Sequence, residues 1–378
     1  NALRLKPNDT QAFFGLALNT KYAARDNLLG TMGAMHSGKG VGGIDYESLC
    51  FALAKVFDDL GEPSRAMEYA IEANGLISRP FDLGAEQRNL DDLRRMATAD
   101  AFSRLPIGDP SPKPPLLIVG MNRSGTTLVE SILSRHPSVL AQGEVGDWPQ
   151  LEGRLLNRMR AAGRPAGRNA ALTALNREWM NQRAGELRAL TDGRASGSYS
   201  IAIDKFPDNA LRLGLVSRVF PNARIVHVRR HPLDVGLSNY FRRFTTGQGF
   251  AFRMDWIGAK VRLVADSMAL WKKALDLPIL DVSYERLVAD PEGESRRLIA
   301  FAGLEWDDAC LTPSKTQRSV LTASQWQVRQ PIYTGSVSRW RRYEPWLAPM
   351  IEAMGGMEWI EQEMADQASL SSLSANRS

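Results

Sequence analysis

The stretch PPLLIVGMNRSGTTLVESIL, residues 114–133, constrains the fold more than any other part of the chain. LLIVG reads as a buried strand, MNRSG as a tight turn, and TTLVESIL as the start of an amphipathic helix. From Gly120 the spacing is G-x-x-x-x-G-T-T. It follows the phosphate-loop pattern G-x-x-x-x-G-K-[S/T] except at the lysine, where Thr126 stands instead. Arg123 lies inside the turn. A loop of this kind implies an anion, and the missing lysine asks which one.

Further apolar runs at YSIAID, RIVHV and PILDVS read as strands, separated by helical stretches such as NALRLGLVSRVF and IGAKVRLVADSMALWKKAL. Short apolar strands alternating with helices predict an α/β fold, a P-loop-like parallel sheet wrapped by helices on both faces. Residues 151–195 are rich in arginine and alanine and read as helical. The proline-rich LPIGDPSPKPP marks a boundary, giving a helical segment over 1–104, an α/β domain over 105–365 and a disordered tail over 366–378.

The N-terminal segment resembles tetratricopeptide repeats. NALRLKPNDTQAFFGLALN looks like the join between two units, and YESLCFALAKVFDDLGEPSRAMEYAIEANGLIS like a second unit. Leu53, Ala54 and Phe57 would line one of its helices and Ala66, Ala70 and Ala73 the other. Two visible units imply the end of a longer array. GTMGAMHSGKGVGG, between them, reads as a flexible glycine connector; its SGKG follows no strand and is not a phosphate loop.

Composition narrows the class. The chain of 378 residues is 44% hydrophobic and 24% charged, ordinary for a globular protein. No run approaches the ~18 apolar residues of a membrane helix. Cys50 and Cys310 are its only cysteines, too few for a disulfide scaffold or a thiolate metal site, and a reducing cytoplasm is the plainest setting. The chain opens without a methionine or signal peptide, which points to a segment upstream of residue 1. Net charge is +5, with arginines grouped at 229–230, 242–243 and 339–342. A nucleic-acid binder carries denser basic runs with interleaved aromatics; a small polyanion needs only a few placed cations.

Ligands of doubly wound sheets bind at the carboxyl ends of the strands. The 121–127 turn lies at such an end, and its amides and the following helix N-terminus suit an anion. Thr126 and Thr127 add hydroxyl donors, and Arg123 a guanidinium fork. This set weakens a magnesium-ATP reading, in which lysine and metal would balance the charge; apart from Asp204 and Asp281, no clear aspartate follows an apolar strand to hold a metal. A second anchor lies in RRHPLDVGLSNYFRR. Arg230 ends a strand and Ser238 lies two turns into the next helix, so the two could clasp one phosphate from both sides.

With both anchors in hand, the sequence resembles the sulfotransferases that use 3'-phosphoadenosine-5'-phosphosulfate (PAPS), notably tyrosylprotein sulfotransferases and bacterial sulfotransferases carrying tetratricopeptide repeats. PLLIVGMNRSGTTL resembles their 5'-phosphosulfate loop and RRHPLDVGLS their 3'-phosphate motif, within a similarity spanning 114–345 that is weak over 151–198. The resemblance implies a sulfotransferase fold, PAPS as co-substrate and no metal. It places Arg123, Ser124, Gly125, Thr126 and Thr127 at the 5' end of the donor, Arg230, Ser238 and Arg242 at its 3' end, and Tyr284 near the nucleotide. SQWQVRQPIYTGSVSRW resembles a late nucleotide-covering loop, with Ser324 and Arg339 as contacts; Gln330 replaces a lysine of the tyrosylprotein enzymes.

The same resemblance makes Glu144 the catalytic base and Lys205 a contact of the moving sulfuryl group, with Arg123 and Ser324 assisting. Sulfuryl transfer to a hydroxyl does need a group to take the proton. Burial beside Trp148 would raise the pKa of Glu144, and a neighbouring arginine would lower it. Asp204 could instead hold Lys205 in a structural ion pair. Val-Gly-Asp-Trp after Glu144 departs from the family's acidic-and-arginine continuation. Of the histidines, His36 falls in the connector, His136 marks a helix stop, His227 lies within a strand and His231 flanks Arg230. None has a carboxylate or metal-ligand partner at a telling spacing. The acceptor implied is a hydroxyl, with a peptide or protein tyrosine favoured by the helical segment and carbohydrate or small-molecule hydroxyls as alternatives. A P-loop kinase or ATPase, and a repeat protein with a degenerate catalytic domain, are the competing classes.

Overall fold

The computed structural model describes residues 2–38, 44–97, 102–164, 167–312 and 335–375. Its centre is a five-stranded, wholly parallel sheet: β1 (Leu116–Gly120), β2 (Val139–Ala141), β3 (Ile201–Lys205), β4 (Arg224–Arg229) and β5 (Ile279–Ser283), in spatial order β2-β3-β1-β4-β5. β1 sits in the middle, with Ile118 opposite Lys205 of β3 on one side and Gly120 opposite Val228 of β4 on the other. The four strands read from the sequence are all present. β2 was not foreseen: three residues are too few to show a period.

Leu116, Leu117, Ile118 and Val119 are all fully buried, as a central parallel strand covered on both faces requires. The helix Thr126–Leu133 then lays Val129, Ile132 and Leu133 against Leu116, Ile118, Ile203, Val226 and Val282. The i, i+3, i+4 spacing of those three residues makes one apolar stripe, and each buried aliphatic side chain contributes about 1.5–3 kcal/mol. Residues 151–195 are largely helical, in Asp147–Ala161, a 3-10 turn at Ala170–Ala174, and Arg177–Arg194.

The chain divides into two compact units: residues 1–81, 232–260 and 335–361 form one, and 82–231, 261–334 and 362–378, with the whole sheet, form the other. The helical segment read over 1–104 is therefore shared between them, passing from one to the other after Phe81.

In the first unit the helices Thr10–Asn19, Asn27–Ser37, Ile44–Asp59 and Pro63–Gly75 follow one another. Leu53, Ala54, Phe57, Ala66, Ala70 and Ala73 are all buried, at most 2% exposed, so small residues do lie where two helices meet. The connector needs correction. GTMGAMHS belongs to the helix Asn27–Ser37, held because Asp26 caps its first turn and Leu29 and Met32 are buried; residues 39–43 lie outside those described. The tail is corrected likewise. The last helix runs Met357–Ala375, through most of the stretch read as disordered, anchored by buried Ile360. No helix among the described residues is long and apolar enough to cross a membrane.

Candidate functional site

Each strand of the sheet ends in a residue singled out from the sequence. Glu144 follows β2, Lys205 ends β3, the 121–127 turn follows β1, Arg230 follows β4 and Tyr284 follows β5. Because the spatial order is β2-β3-β1-β4-β5, these groups lie in a row: carboxylate, ammonium, phosphate loop, guanidinium, phenol ring. Strands about 4.8 Å apart spread that row over some 20 Å of one sheet edge, the edge where such folds bind ligands.

The loop is built by backbone conformations that few residues adopt. Gly120 has φ +145° and Gly125, the helix N-cap, has φ +109°. Arg123 is itself left-handed at φ +72°, a costly state for a side-chain-bearing residue that is kept where surroundings impose it. A Cβ on Gly125 would lie 2.6 Å from Cδ2 of Tyr284, so the tyrosine ring packs directly under the loop. Thr126 and Thr127 are buried at the helix start. Ser124 is 1% exposed and its hydroxyl has no hydrogen-bond partner among the described residues. A buried, unanswered hydroxyl beside helix-terminal amides fits an oxyanion ligand.

Arg230 closes the loop from the β4 side. Its Nη1 donates to the carbonyl of Arg123 at 3.1 Å, and its guanidinium lies 4.6 Å over the ring of Tyr284. One carbonyl and one ring thus tie together three of the predicted donor contacts.

At the other end of the row, Lys205 is fully buried and donates to Glu144, with Glu130 at 4.0 Å. The Glu144 loop is stitched to β3: Lys205 N–H donates to Gly143 O at 3.1 Å and Gln142 N–H to Ile203 O at 2.9 Å. Arg194 holds the same loop by bonds to Gln142 and Asp147. Glu144 itself is 41% exposed on its side chain. The burial expected beside Trp148 is absent, because that indole turns inward to pack edge-on against Phe220. Nor is Asp204 the partner of Lys205. Adjacent strand residues point to opposite faces, and Asp204 lies buried where desolvation, with Asp147 and Glu130 nearby, pushes its pKa up to about 7. Glu130 was missed from sequence; nothing in TLVESIL marks its glutamate as facing a lysine of another strand.

Ser238, Arg242 and Arg339 belong to the other unit. Ser238 is half-buried on the helix Pro232–Tyr240. Burial depresses the pKa of Arg242, whose Nε has no partner among the described residues. Arg339, expected at the nucleotide, is instead ion-paired to Asp58 at 2.9 Å, with Arg342 at 3.4 Å and the Tyr343 hydroxyl donating at 2.6 Å to the same carboxylate. Ser324 and Gln330 lie outside the described residues.

The arginine groups thus sort by partner. Arg229 pairs with Glu363 and Arg243 with Glu47, structural bonds that the sequence could not separate from ligand contacts. The histidines gain partners too. His227 lies buried, with a pKa lowered to about 4 by burial, and its Nδ1 is 2.7 Å from Asp281. Asp281 also accepts from Lys272, so it is committed to structure and not to a metal. His136 accepts from Ser138 N–H through Nδ1 and its Nε2 lies 3.0 Å from Glu305 O, which seals the helix end.

Fold and site together define an α/β protein whose phosphate-loop-like turn carries threonine in place of lysine and whose neighbouring strand carries a lysine paired to a glutamate. A family model described as "Sulfotransferase family" matches residues 114–308, just over half of the chain. An uncharacterized protein of Aquifex aeolicus is 34% identical over 80% of this chain, which spans only 41% of that protein's length. Protein-tyrosine sulfotransferase 2 of Gallus gallus is 24% identical over 64% of this chain and 69% of its own. Among solved structures, the sulfotransferase domain of the Synechococcus PCC 7002 olefin synthase covers 62% of this chain and 89% of its own at 22% identity, with a TM-score of 0.45. The chain belongs to the sulfotransferase family.

Proposed function

We propose that the protein transfers a sulfuryl group from PAPS to a hydroxyl acceptor, and that the acceptor is a peptide or protein tyrosine. The observation that carries this reading is the row of groups along the sheet edge, with the lysine-free loop between a lysine–glutamate pair and an arginine. The residues present fit the donor. Ser124 offers a buried hydroxyl lacking a partner among the described residues, beside the N-terminus of the helix Thr126–Leu133. The main-chain amides of the loop, Thr126, Thr127 and Arg123 hold the phosphosulfate; Arg230 holds the 3'-phosphate, with Ser238 and Arg242 assigned on sequence grounds. Tyr284 supports the loop and Arg230 together. Arg339, neutralised by Asp58, is assigned to structure.

In the reaction the acceptor oxygen forms a bond to sulfur as the bond from sulfur to the bridging oxygen breaks. The acceptor proton passes to Glu144, and the products are a sulfate ester and adenosine 3',5'-bisphosphate. Lys205 and Arg123 stabilise negative charge on the departing oxygen, donors typically worth about 3–4 kcal/mol each. Lys205, resting on Glu144, passes its hydrogen bond to the donor as Glu144 turns to the acceptor. Similarity to a protein-tyrosine sulfotransferase and the helical unit support tyrosine as the acceptor.

Calorimetry with adenosine 3',5'-bisphosphate in chelator, followed by labelled transfer to peptide, glycan and phenol panels, tests both parts. Binding without divalent ions and transfer to tyrosine peptides are expected. Absence of binding overturns the donor assignment, and transfer only to glycans or phenols overturns the acceptor.

A further inference from the structure

The helical unit holds a cluster that sulfuryl transfer does not use. His36 comes from the helix Asn27–Ser37, Cys50 from Ile44–Asp59 and Glu72 from Pro63–Gly75. One candidate ligand atom of each lies within 4.8 Å of the other two, and among the described residues this is the one such group of three. His36 Nε2 is 2.8 Å from Glu72 Oε2. The Tyr46 hydroxyl donates to Glu72 Oε1 at 2.6 Å and lies 2.9 Å from His36 Nε2. Tyr46 stands four residues before Cys50, so both project from one face of their helix. Cys50 is fully buried, while the side chains of His36 and Glu72 are 21% and 38% exposed, which leaves a way in from solvent.

We propose that His36, Cys50 and Glu72 form a binding site for a zinc-class divalent cation, with the Tyr46 hydroxyl or a water as fourth ligand.

Imidazole nitrogen, thiolate sulfur and carboxylate oxygen together are a donor set that zinc and cobalt prefer over the oxygen-seeking magnesium and calcium. Bonds of about 2.0–2.3 Å in a tetrahedron put neighbouring ligand atoms roughly 3.3–3.8 Å apart. The present separations, 2.8 Å for His36–Glu72 and up to 4.8 Å across the group, bracket that range, so rotamer adjustment suffices. Charge also balances: a dication, a thiolate, a carboxylate and a neutral imidazole sum to zero, which a half-buried site tolerates. Cation binding forms the metal–sulfur bond and releases the thiol proton to solvent, with the neutral imidazole of His36 coordinating through Nε2 and no change of oxidation state. Three successive helices would then be joined at one point.

The test is titration of the metal-stripped full chain with Co2+, watching for the thiolate-to-cobalt charge-transfer absorption, then displacement by Zn2+. About one equivalent should bind with that absorption, and Zn2+ should abolish it. Cys50→Ser should remove the absorption and weaken binding by at least about 100-fold, His36→Ala should weaken it about 10-fold or more, and Cys310→Ser should change neither. Absence of the charge-transfer absorption in the wild type, or affinity undiminished in Cys50→Ser, overturns the proposal. If Cys50→Ser fails to fold, unchanged affinity in the partly exposed His36→Ala variant overturns it instead.

Discussion

The buried ammonium of Lys205 donates to the exposed carboxylate of Glu144, with the carboxylate of Glu130 4.0 Å away. One cation therefore serves two anions of unlike setting: Glu130 is nearly buried and structural, Glu144 faces solvent and is able to leave. That asymmetry separates two variants. Glu144→Gln should lower kcat by about 10²–10⁴-fold and leave adenosine 3',5'-bisphosphate affinity within a few-fold. Lys205→Met should also lower kcat, by roughly 10²–10³-fold. It should in addition destabilise the fold by about 3–5 kcal/mol, because Glu130 loses its buried countercharge. Steady-state kinetics beside thermal melting decides; transfer undiminished in Glu144→Gln would remove it as base.

Gly125 and Tyr284 make a second test. A methyl group at Gly125 would meet the ring at 2.6 Å in a backbone state with φ +109°, so Gly125→Ala must move either loop or ring. The change should cost about 1–3 kcal/mol and weaken bisphosphate binding at least about 10-fold. Gly153→Ala, in the helix Asp147–Ala161 with nothing within 4 Å, should instead stabilise by roughly 0.5–1 kcal/mol. Calorimetry and melting on the pair test this, and equal behaviour would contradict it.

Asp204 predicts a pH dependence. Its folded pKa of about 7 lies above the ordinary 3.8, so between those values the native state holds a proton that the unfolded chain has lost. The group's stabilising contribution is thus complete below about pH 4, declines as pH rises, and is gone above about pH 7. Asp204→Asn cannot ionise. Its stability relative to wild type should therefore grow between pH 4 and pH 7 and level off beyond, as read from denaturant unfolding across that range. A difference constant with pH would refute the assignment.

Arg339 yields the last prediction. Burial alone would raise the pKa of Asp58, but Arg339, Tyr343 and Arg342 together outweigh it, and the carboxylate stays ionised. Asp58→Asn leaves a buried guanidinium without its countercharge and should destabilise by about 3–5 kcal/mol. If Arg339 served the nucleotide instead, the same variant would tighten bisphosphate binding with little loss of stability. Urea unfolding beside calorimetry separates the two.

Legibility followed the range of the interactions involved. Four of the five strands, the helix after the loop and the glycine turn were all readable, because apolar period and glycine placement act within a few residues. The three-residue β2 was not, since three residues are too few to show an apolar period. The helix Asn27–Ser37 was misread because its glycines outweigh its propensity, and burial of Leu29 and Met32 by other elements decides the matter.

By itself, then, the sequence determined four strands of the parallel sheet, the lysine-free loop after β1, and which residues follow those four strands. Tertiary structure alone decided the pairings: Lys205 with Glu144 and Glu130 and not Asp204, Arg339 with Asp58, Arg230 with the Arg123 carbonyl, His36 with Glu72. The reason is physical. Backbone periodicity is a local property that composition and spacing express directly, whereas a charge takes its partner from whatever the folded chain brings within about 4 Å, across any separation in sequence.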